Sequence, residues 1–359
     1  MLDIVSLLAP EGVSRELLYG VTTIDAPAAR FSLSRRRRSI AVTRHAIDEA
    51  LSRLADSSLL TFSTDGSVVT AHRLVMRVVR ERRAHDGTLL AVGASANSLV
   101  GAAMHSFGQP WEHRDAARDL VRHVLTLDER LASQLAGDSG PLAVRLIAAR
   151  GWALGCLNLL GDSFGQSIEL GEPLLADCLR LLGAEHEETR AIRHNLARAY
   201  VEDGREDRAI PLYEEEVAVS ARVLGEDHPD TLISRNDLAT AYGAAGRFEE
   251  AVPLIERTLA GYVRVLGDDH PDTLMARNNL AFAYDGTGRL AEAVALYERT
   301  LADRVRVLCE DHPDTLLSRN NLAGVYESSG RLGEAIALYE QTLADRMRVL
   351  GGSHPQALA

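Results

Sequence analysis

Lysine is absent from this chain of 359 residues, so all 39 of its basic side chains are arginines. The phosphate-binding P-loop requires a lysine, and Schiff-base catalysis requires a lysine amine. The composition therefore excludes both a P-loop nucleotide site and Schiff-base chemistry among these residues.

Cysteine is scarce as well. Cys156, Cys178 and Cys309 show no CxxC spacing, which predicts reduced thiols in a core rather than a disulfide framework or a zinc site. No long uncharged apolar run is present, and the apolar N-terminal stretch lacks a preceding basic region and is interrupted by Asp3. We therefore expect a soluble, cytoplasmic protein without a cofactor.

Charge is distributed unevenly along the chain. Residues 1–90 hold 13 arginines and 10 acidic residues, a net charge of +3, whereas the remainder holds 26 arginines and 41 acidic residues, a net charge of −15. A strongly acidic segment repels phosphate, so general affinity for nucleic acid is not expected beyond residue 90.

One phrase recurs in the acidic part at intervals of 42 residues. LGDDHPDTLMARNNLAFAYDGTGRLAEA begins at Leu266, close copies begin at Leu224 and Leu308, and a weaker copy begins at Leu182. A period of this size predicts a stacked array of one supersecondary unit. The same step separates five marker histidines: His186, His228, His270, His312 and His354.

The spacing within one unit predicts two helices. His270 precedes Pro271 and is expected to cap the first helix, and Gly286 and Gly288 end it. A second helix follows with an unbroken apolar stripe, and Gly267 lies where a left-handed C-cap of the preceding unit is expected. The stripe consists of Leu290, Ala293, Val294, Tyr297, Leu301, Val305 and Leu308.

The repeated unit resembles the tetratricopeptide repeat. The Leu–small–Tyr signature of that family recurs in three units, and Ala251, Ala293 and Ala335 match the small residue of its second helix. The 42-residue period, the HPDT start and the RNNLA core are similar to the longer repeats of kinesin light chains and their bacterial relatives. The signature residues are Leu238, Ala239, Tyr242, Leu280, Ala281, Tyr284, Leu322, Ala323 and Tyr326.

This resemblance implies a mainly α fold, a tetratricopeptide-repeat α-solenoid in which helical hairpins form a right-handed superhelix. The repeats are expected to span 141–359. Their boundaries are 141–182 for a degenerate unit, then 183–224, 225–266, 267–308 and 309–350, with a truncated unit at 351–359.

Residues 1–90 lack the repeat and predict a different domain. Short helices are expected from Leu2 and from Ser14, an amphipathic helix follows from Ala46 to Leu54, and 22–39 is expected to be irregular. Two β-rich runs flank 64–67, a hairpin signal, and a further helix starts near His72. Three helices closed by a hairpin predict an N-terminal winged-helix domain.

The phrases ALSRLADSSLLTF and VVTAHRLVMRVVR resemble the winged-helix segment of NB-ARC-type (STAND) signalling NTPases. In that family a histidine at the end of the hairpin contacts the phosphate of the bound nucleotide, and His72 matches its position. The nucleotide-binding domain that precedes this segment in the family is expected to be absent here, or to be supplied by an upstream NTPase domain. Residues 91–140 are predicted to form a helical linker.

No arrangement of catalytic residues is apparent in the repeats. Nucleophiles lack an adjacent base, and the phased histidines would lie about 10 Å apart, too far to converge on one metal ion. We therefore predict that the protein is not an enzyme and holds no metal.

Polar residues before the buried leucine of each unit are the candidates for binding. The family's first helices line a concave groove, and an amide can donate to and accept from a peptide backbone. We expect Asn236, Asn278 and Asn320 to face this groove, with Arg235, Arg277 and Arg319 at its rim. Asn279 and Asn321 are expected to bond between units, and the alternative is that all the asparagines have this structural role.

The sequence thus predicts a protein–protein interaction scaffold, or the sensor arm of an NB-ARC-like signalling protein, without NTPase activity. The alternative function is a DNA-binding transcriptional regulator, for which Arg35–Arg38 and Arg73, Arg77, Arg80 and Arg83 are candidates. Membrane binding is not expected. The second helix of the last full unit keeps its internal apolar stripe, so self-association through Ile336 and Tyr339 is also expected.

Overall fold

A computed structural model describes residues 1–21, 23–25, 39–135 and 140–350, with the backbone alone at 23–25, 39–41 and 349–350. The fold is mainly helical, as predicted. By its contacts the chain divides into unit 1, Met1–Asn195, and unit 2, Leu196–Ala359.

The elements before the boundary within α9 are α1 (Leu2–Val5), β1 (Val13–Ser14), α2 (Arg15–Tyr19), β2 (Thr23–Asp25), β3 (Ser39–Ala41), α3 (Arg44–Asp56), β4 (Leu60–Phe62), β5 (Val68–Ala71), α4 (Arg73–His85), α5 (Leu89–Ser106), α6 (Arg114–Leu135), α7 (Pro141–Leu160) and α8 (Phe164–Leu181). The remaining elements are α9 (Glu187–Glu202), α10 (Glu206–Leu224), α11 (Pro229–Ala244), α12 (Phe248–Leu266), α13 (Pro271–Gly286), α14 (Leu290–Leu308), α15 (Pro313–Ser328) and α16 (Leu332–Leu350).

The predicted β-hairpin forms between β4 and β5. Strand β1 pairs with β5 on its other side, which gives an antiparallel sheet of order β1–β5–β4. At the turn, Ser63 Oγ and the backbone N–H of Ser67 donate to the carboxylate of Asp65, and these bonds lower the pKa of Asp65 to about 2. The charged carboxylate thus holds the turn closed.

The expectation that 22–39 is irregular is wrong at both ends of that range. Strands β2 and β3 pair antiparallel, with Ile24 opposite Ile40. Both are only three residues long, too short for a reliable alternating pattern. Arg35–Arg38 lie outside the described residues.

The hydrophobic core of unit 1 extends from Val5 in α1 to Leu157 in α7. Helix α7 is long and apolar enough to cross a membrane, but most of it is buried inside the protein, as in the core helix of a soluble protein. Its Arg150 forms ion pairs with Asp128 and Asp177. The domain boundaries at residues 90 and 140 stay predictions.

Helices α7 and α8 form one of the predicted hairpins in unit 1, and α11–α16 form three more in unit 2. In unit 2 each core cluster draws on neighbouring hairpins: Ala251 and Ile255 of α12 pack with Leu280 and Ala283 of α13. A hairpin therefore covers its apolar face with the next one, which is why the repeat period governs the fold.

The histidines cap the first helices, as predicted. Nδ1 of His228, His270 and His312 each accepts a hydrogen bond of 3.2 Å from the backbone N–H two residues later. His354 lies outside the described residues. Because the capping nitrogen is already used, these histidines stabilise helix starts.

The C-caps differ from the expected left-handed form. Gly267 has φ +88° and ψ 168°, so φ is positive but ψ is extended. Cys309 takes the same place in the next unit with φ +80° and ψ 167°. It is also exposed, so only Cys156 and Cys178 confirm the prediction of core thiols.

Candidate protein-binding surface

The three arginines predicted for a groove rim are buried inside the hairpins. Arg277 is 2% exposed and forms ion pairs with Asp268 at 2.9 Å and with Asp303 at 2.7 Å. Arg235 pairs with Glu226, and Arg319 with Asp345. Each arginine lies three residues before a buried leucine and therefore on the buried side of its helix, a signal that was present in the sequence.

The asparagines form bonds between consecutive hairpins. Asn279 Nδ2 donates to Asn236 Oδ1 at 3.1 Å, and Asn321 Nδ2 donates to Asn278 Oδ1 at 3.4 Å. The structure places Asn236 and Asn278 below 8% exposure, whereas Asn320 is half-buried. The amides thus hold neighbouring first helices in register, in agreement with the inter-unit bonds expected of Asn279 and Asn321.

The exposed side of α11, α13 and α15 is formed by other residues. Ile233, Met275 and Leu317 occupy the same repeat position and are 37%, 37% and 45% exposed. With the two rows that follow on the same stripe they form a surface that we call the first-helix face: Ile233, Asp237, Thr240, Met275, Asn279, Phe282, Leu317, Asn321 and Gly324.

The sequence contained a signal for this surface. Each aliphatic residue follows a buried leucine, as Met275 follows Leu274, and adjacent helical residues point about 100° apart. Both cannot face the same core. Phe282, which is 50% exposed, adds an aromatic ring held edge-to-face against Phe248 with centroids 5.7 Å apart.

The charge of the three first helices is entirely negative at their surface. Their arginines are buried and paired, and their acidic residues are all at least partly exposed. Burial raises the pKa of one of them, Asp285, with a hydrogen bond from Ser328 opposing. The six acids are Asp230, Asp237, Asp272, Asp285, Asp314 and Glu327.

A repeated contact flanks the surface. The hydroxyl of Tyr284 donates to Glu256 Oε1 at 2.8 Å, and the guanidinium of Arg289 lies over its ring at 3.9 Å. The same contacts recur at Tyr242 with Arg247 and at Tyr326 with Arg331. Burial, and then the hydrogen bond to Glu214, raise the pKa of Tyr242 to about 12, so its hydroxyl stays protonated and donates to Glu214 Oε1 at 2.6 Å.

His72 is the N-cap of α4. Its Nδ1 accepts a hydrogen bond of 3.2 Å from the backbone N–H of Leu74, and the side chain is exposed. In the part of the chain that the structure describes, no group of three or more His, Cys, Asp or Glu side chains could hold a metal ion.

The repeats decide the family. The sequence profile of the tetratricopeptide repeat matches four overlapping segments, 147–220, 204–262, 243–304 and 287–348. The chain belongs to the tetratricopeptide-repeat family. Such repeats bind other proteins, so this chain is a protein–protein interaction scaffold, and proteins of this fold are typically soluble and non-enzymatic.

Solved structures place the repeats of this tetratricopeptide-repeat protein near those of kinesin light chains. A Podosopora anserina protein, described as a kinesin light chain with nearly identical TPR-like repeats, is 34% identical, with 57% of this chain and 96% of that one covered and a TM-score of 0.50. BtubC (BKLC) from P. vanneervenii is 22% identical, with 67% and 94% covered and a TM-score of 0.51, which supports the fold alone.

A STAND protein with a tetratricopeptide-repeat sensor from Pyrococcus horikoshii also aligns, at 12% identity over 96% of this chain and 64% of that one. Its TM-score of 0.44 is too low to support an argument about this chain. No curated protein sequence matches the chain significantly.

Proposed function

We propose that the first-helix face holds an extended segment of a partner protein. The observation that carries this proposal is the row of Ile233, Met275 and Leu317, which places a large apolar side chain at the same exposed position in three consecutive units. Exposed apolar side chains that recur in register mark an interaction surface. In this family the first helices line the concave groove, which is where such a segment binds.

The residues predicted for the groove have two roles in this proposal. Asn320 is half-buried and supplies an amide near the surface, whereas Asn236 and Asn278 bond between hairpins. The three arginines form ion pairs inside their own hairpins beneath the surface. Direct contact with the partner therefore falls mainly to the aliphatic row and to Asn279 and Asn321.

Selection of random peptides displayed on phage tests this function. Peptides selected on the full chain should bind it and should lose affinity for the double variant Met275→Ser, Leu317→Ser. The matched control is Val265→Ser, Val307→Ser, which removes side chains 44% and 39% exposed from the second helices. Equal binding to both double variants would reject the first-helix face as the site.

We further propose that the protein is a scaffold or sensor arm of an NB-ARC-like signalling protein, works in the cytoplasm and has no NTPase activity. Three helices, α1 to α3, followed by the β4–β5 hairpin support a winged-helix domain, and His72 at the hairpin's end supports the resemblance. The absence of lysine supports the lack of a P-loop.

Calorimetry with Mg²⁺-ATP and Mg²⁺-GTP tests the second proposal. We expect no heat of binding at tens of micromolar protein and no phosphate release. Stoichiometric binding at micromolar affinity would overturn it, and loss of that binding in His72→Ala would assign the site.

DNA binding by the N-terminal part is the second candidate, and internal contacts of α4 count against it. Arg83 forms a bidentate pair with Asp3 at 2.8 and 2.9 Å, and Arg80 donates to the carbonyl of Ser6 at 2.9 Å. Arg77 pairs with Glu81. Anisotropy with random duplex DNA at about 150 mM salt should show no binding, and micromolar affinity would favour a regulator.

A further inference from the structure

The first-helix face presents acceptor oxygens in its middle row. The amide group of Asn279 is turned inward, because its Nδ2 donates to Asn236 Oδ1 at 3.1 Å and to Thr240 Oγ1 at 3.4 Å. Asn321 Nδ2 is used in the same way. Among the described residues neither Oδ1 receives a hydrogen bond, and Asp237 provides a carboxylate at the same repeat position.

Positively charged side chains are missing from the exposed surfaces of α11, α13 and α15. The only basic residues of α11, α13 and α15 are Arg235, Arg277 and Arg319, at 3%, 2% and 4% exposure, and each is bound to an acid. The six acidic residues of these helices remain at least partly exposed. An acidic segment would therefore meet like charge from these three helices, whose own arginines are buried and paired.

Apolar contacts lie beside the acceptor row on both sides. Ile233, Met275 and Leu317 form one side, and Phe282 stands on the other. Gly324 follows Phe282 at the same position of the next unit, and a Cβ there would meet only the hydroxyl of Tyr339 at 3.5 Å. The glycine leaves the ring open to a side chain from outside.

We propose that the occupant of the first-helix face is a positively charged extended segment with aliphatic side chains. This inference rests on the proposed function and names the class of partner. Its N–H, guanidinium or ammonium groups donate to Asp237, Asn279 and Asn321, while its aliphatic side chains pack on the apolar row. Three first helices spaced about 10 Å apart span about 20 Å, the length of roughly six extended residues.

Three capped, fluorescein-labelled decapeptides test the chemistry on the full chain: alternating leucine and arginine, alternating leucine and glutamate, and alternating serine and arginine. At about 150 mM salt we expect the leucine–arginine peptide to bind at least about tenfold more tightly than either of the others. Its affinity should fall about tenfold in Met275→Ser, Leu317→Ser and stay unchanged in Val265→Ser, Val307→Ser.

The charge is tested by Asp237→Asn with Glu327→Gln. The next two units have Asn279 and Asn321 at the position equivalent to Asp237, so the fold should tolerate asparagine there. We expect a several-fold loss of affinity and a weaker dependence on salt, with no change in Glu249→Gln, Glu340→Gln, which removes two exposed acids from the second helices.

The outcomes separate this inference from the proposed function. If the leucine–glutamate peptide binds as tightly as the leucine–arginine peptide, and the Met275, Leu317 variant abolishes both, the face binds peptides and the basic partner is wrong. Equal binding of the serine–arginine peptide would reject the aliphatic requirement. If no decapeptide binds, or if binding survives the Met275, Leu317 variant, the inference is overturned. The peptides selected on phage then test, independently, whether the first-helix face binds a partner segment.

Discussion

Two residues have environments that their side chains fit poorly, one in each unit. Cys309 occupies a backbone conformation that the preceding units give to glycine, and His123 is a histidine only 4% exposed to solvent. A residue placed against its own chemical preference lowers stability by an amount that substitution can measure.

Cys309→Gly should stabilise the protein. Positive φ with extended ψ is essentially restricted to glycine and costs other residues about 1–3 kcal/mol, from which the greater unfolded-state entropy of glycine subtracts about 0.5–1 kcal/mol. We expect a net gain of about 1 kcal/mol in the free energy of unfolding, measured with urea. Cys309→Ala keeps the Cβ and should give no gain, so equal stabilisation by both variants would contradict the strain.

His123 should make unit 1 sensitive to mild acid. Burial, and then the charge of Arg122, lower its pKa from 6.5 to about 4, with Glu11 opposing and Arg130 adding to the shift. The neutral ring accepts the backbone N–H of Ala9 at 3.0 Å. Because the unfolded chain binds the proton first, the contribution is complete above pH 6.5 and is lost as the pH falls to about 4.

The loss amounts to as much as about 3 kcal/mol, at 1.36 kcal/mol per pKa unit. Trp111 and Trp152 are the only tryptophans and both lie in unit 1, so their fluorescence follows its unfolding. Urea midpoints should fall between pH 6.5 and 5, and much less in His123→Gln. An equal fall in the variant would assign the effect to other groups.

At the scale of the element, each first helix is anchored on its buried side and open on the other. In α13, Arg277 and Asn278 point into the array, whereas Met275, Asn279 and Phe282 lie on the outer stripe. Stability and binding therefore depend on different residues of the same helix, and substitutions should separate them.

Arg277→Ala should destabilise unit 2 without changing partner affinity per folded molecule. The substitution removes the 2.7 Å partner of Asp303, which is 20% exposed, but Asp303 keeps Arg306 at 3.0 Å, so the cost should be below the roughly 3–5 kcal/mol of an unpaired buried charge. Arg299→Ala is the control, since Arg299 is 62% exposed and approaches the shared Asp268 only to 3.6 Å. The midpoint of thermal denaturation should fall in Arg277→Ala and not in Arg299→Ala. If Arg277→Ala instead keeps its stability and loses binding, Arg277 contacts the partner in the groove.

At the scale of the molecule, the stacking that covers each hairpin leaves α16 uncovered among the described residues. Ile336 is 57% exposed, whereas its equivalent two units earlier, Val252, is 8% exposed because the next hairpin packs on it. Leu332, Leu343 and Met347 are also exposed. The contrast shows that neighbouring units, and not the residue type, bury this stripe.

We expect the protein to self-associate through α16. Sedimentation velocity at tens of micromolar should show a dimer or larger species that weakens in Ile336→Ser with Leu332→Ser, since exposed apolar faces favour association. Tyr339 packs within its own hairpin and contacts Glu327, so replacing it would also disturb folding. Val265→Ser should leave association unchanged, and a clean monomer of the wild-type chain would refute the interface.

The amino-acid sequence by itself determined the repeat, the helical hairpins and the N-caps of their first helices. These features depend on local chemistry: His270 before Pro271 starts a helix, and paired glycines end one, whatever lies around them. The 42-residue period then required stacking, because one hairpin cannot bury its apolar face alone. The β-hairpin and the N-terminal helices followed from equally local signals.

Only the tertiary structure decided which partners the polar residues of each first helix find, because the leucine spacing marks the buried side of the helix but not what packs against it. Asn278 and Asn279 are neighbours in sequence, yet one is buried and the other forms part of the first-helix face, since a helix separates adjacent side chains by about 100°. The partners of Arg277 are acids 9 and 26 residues away, brought to it by hairpin packing. Burial of a polar side chain depends on such distant partners, and a local pattern contains no information about them.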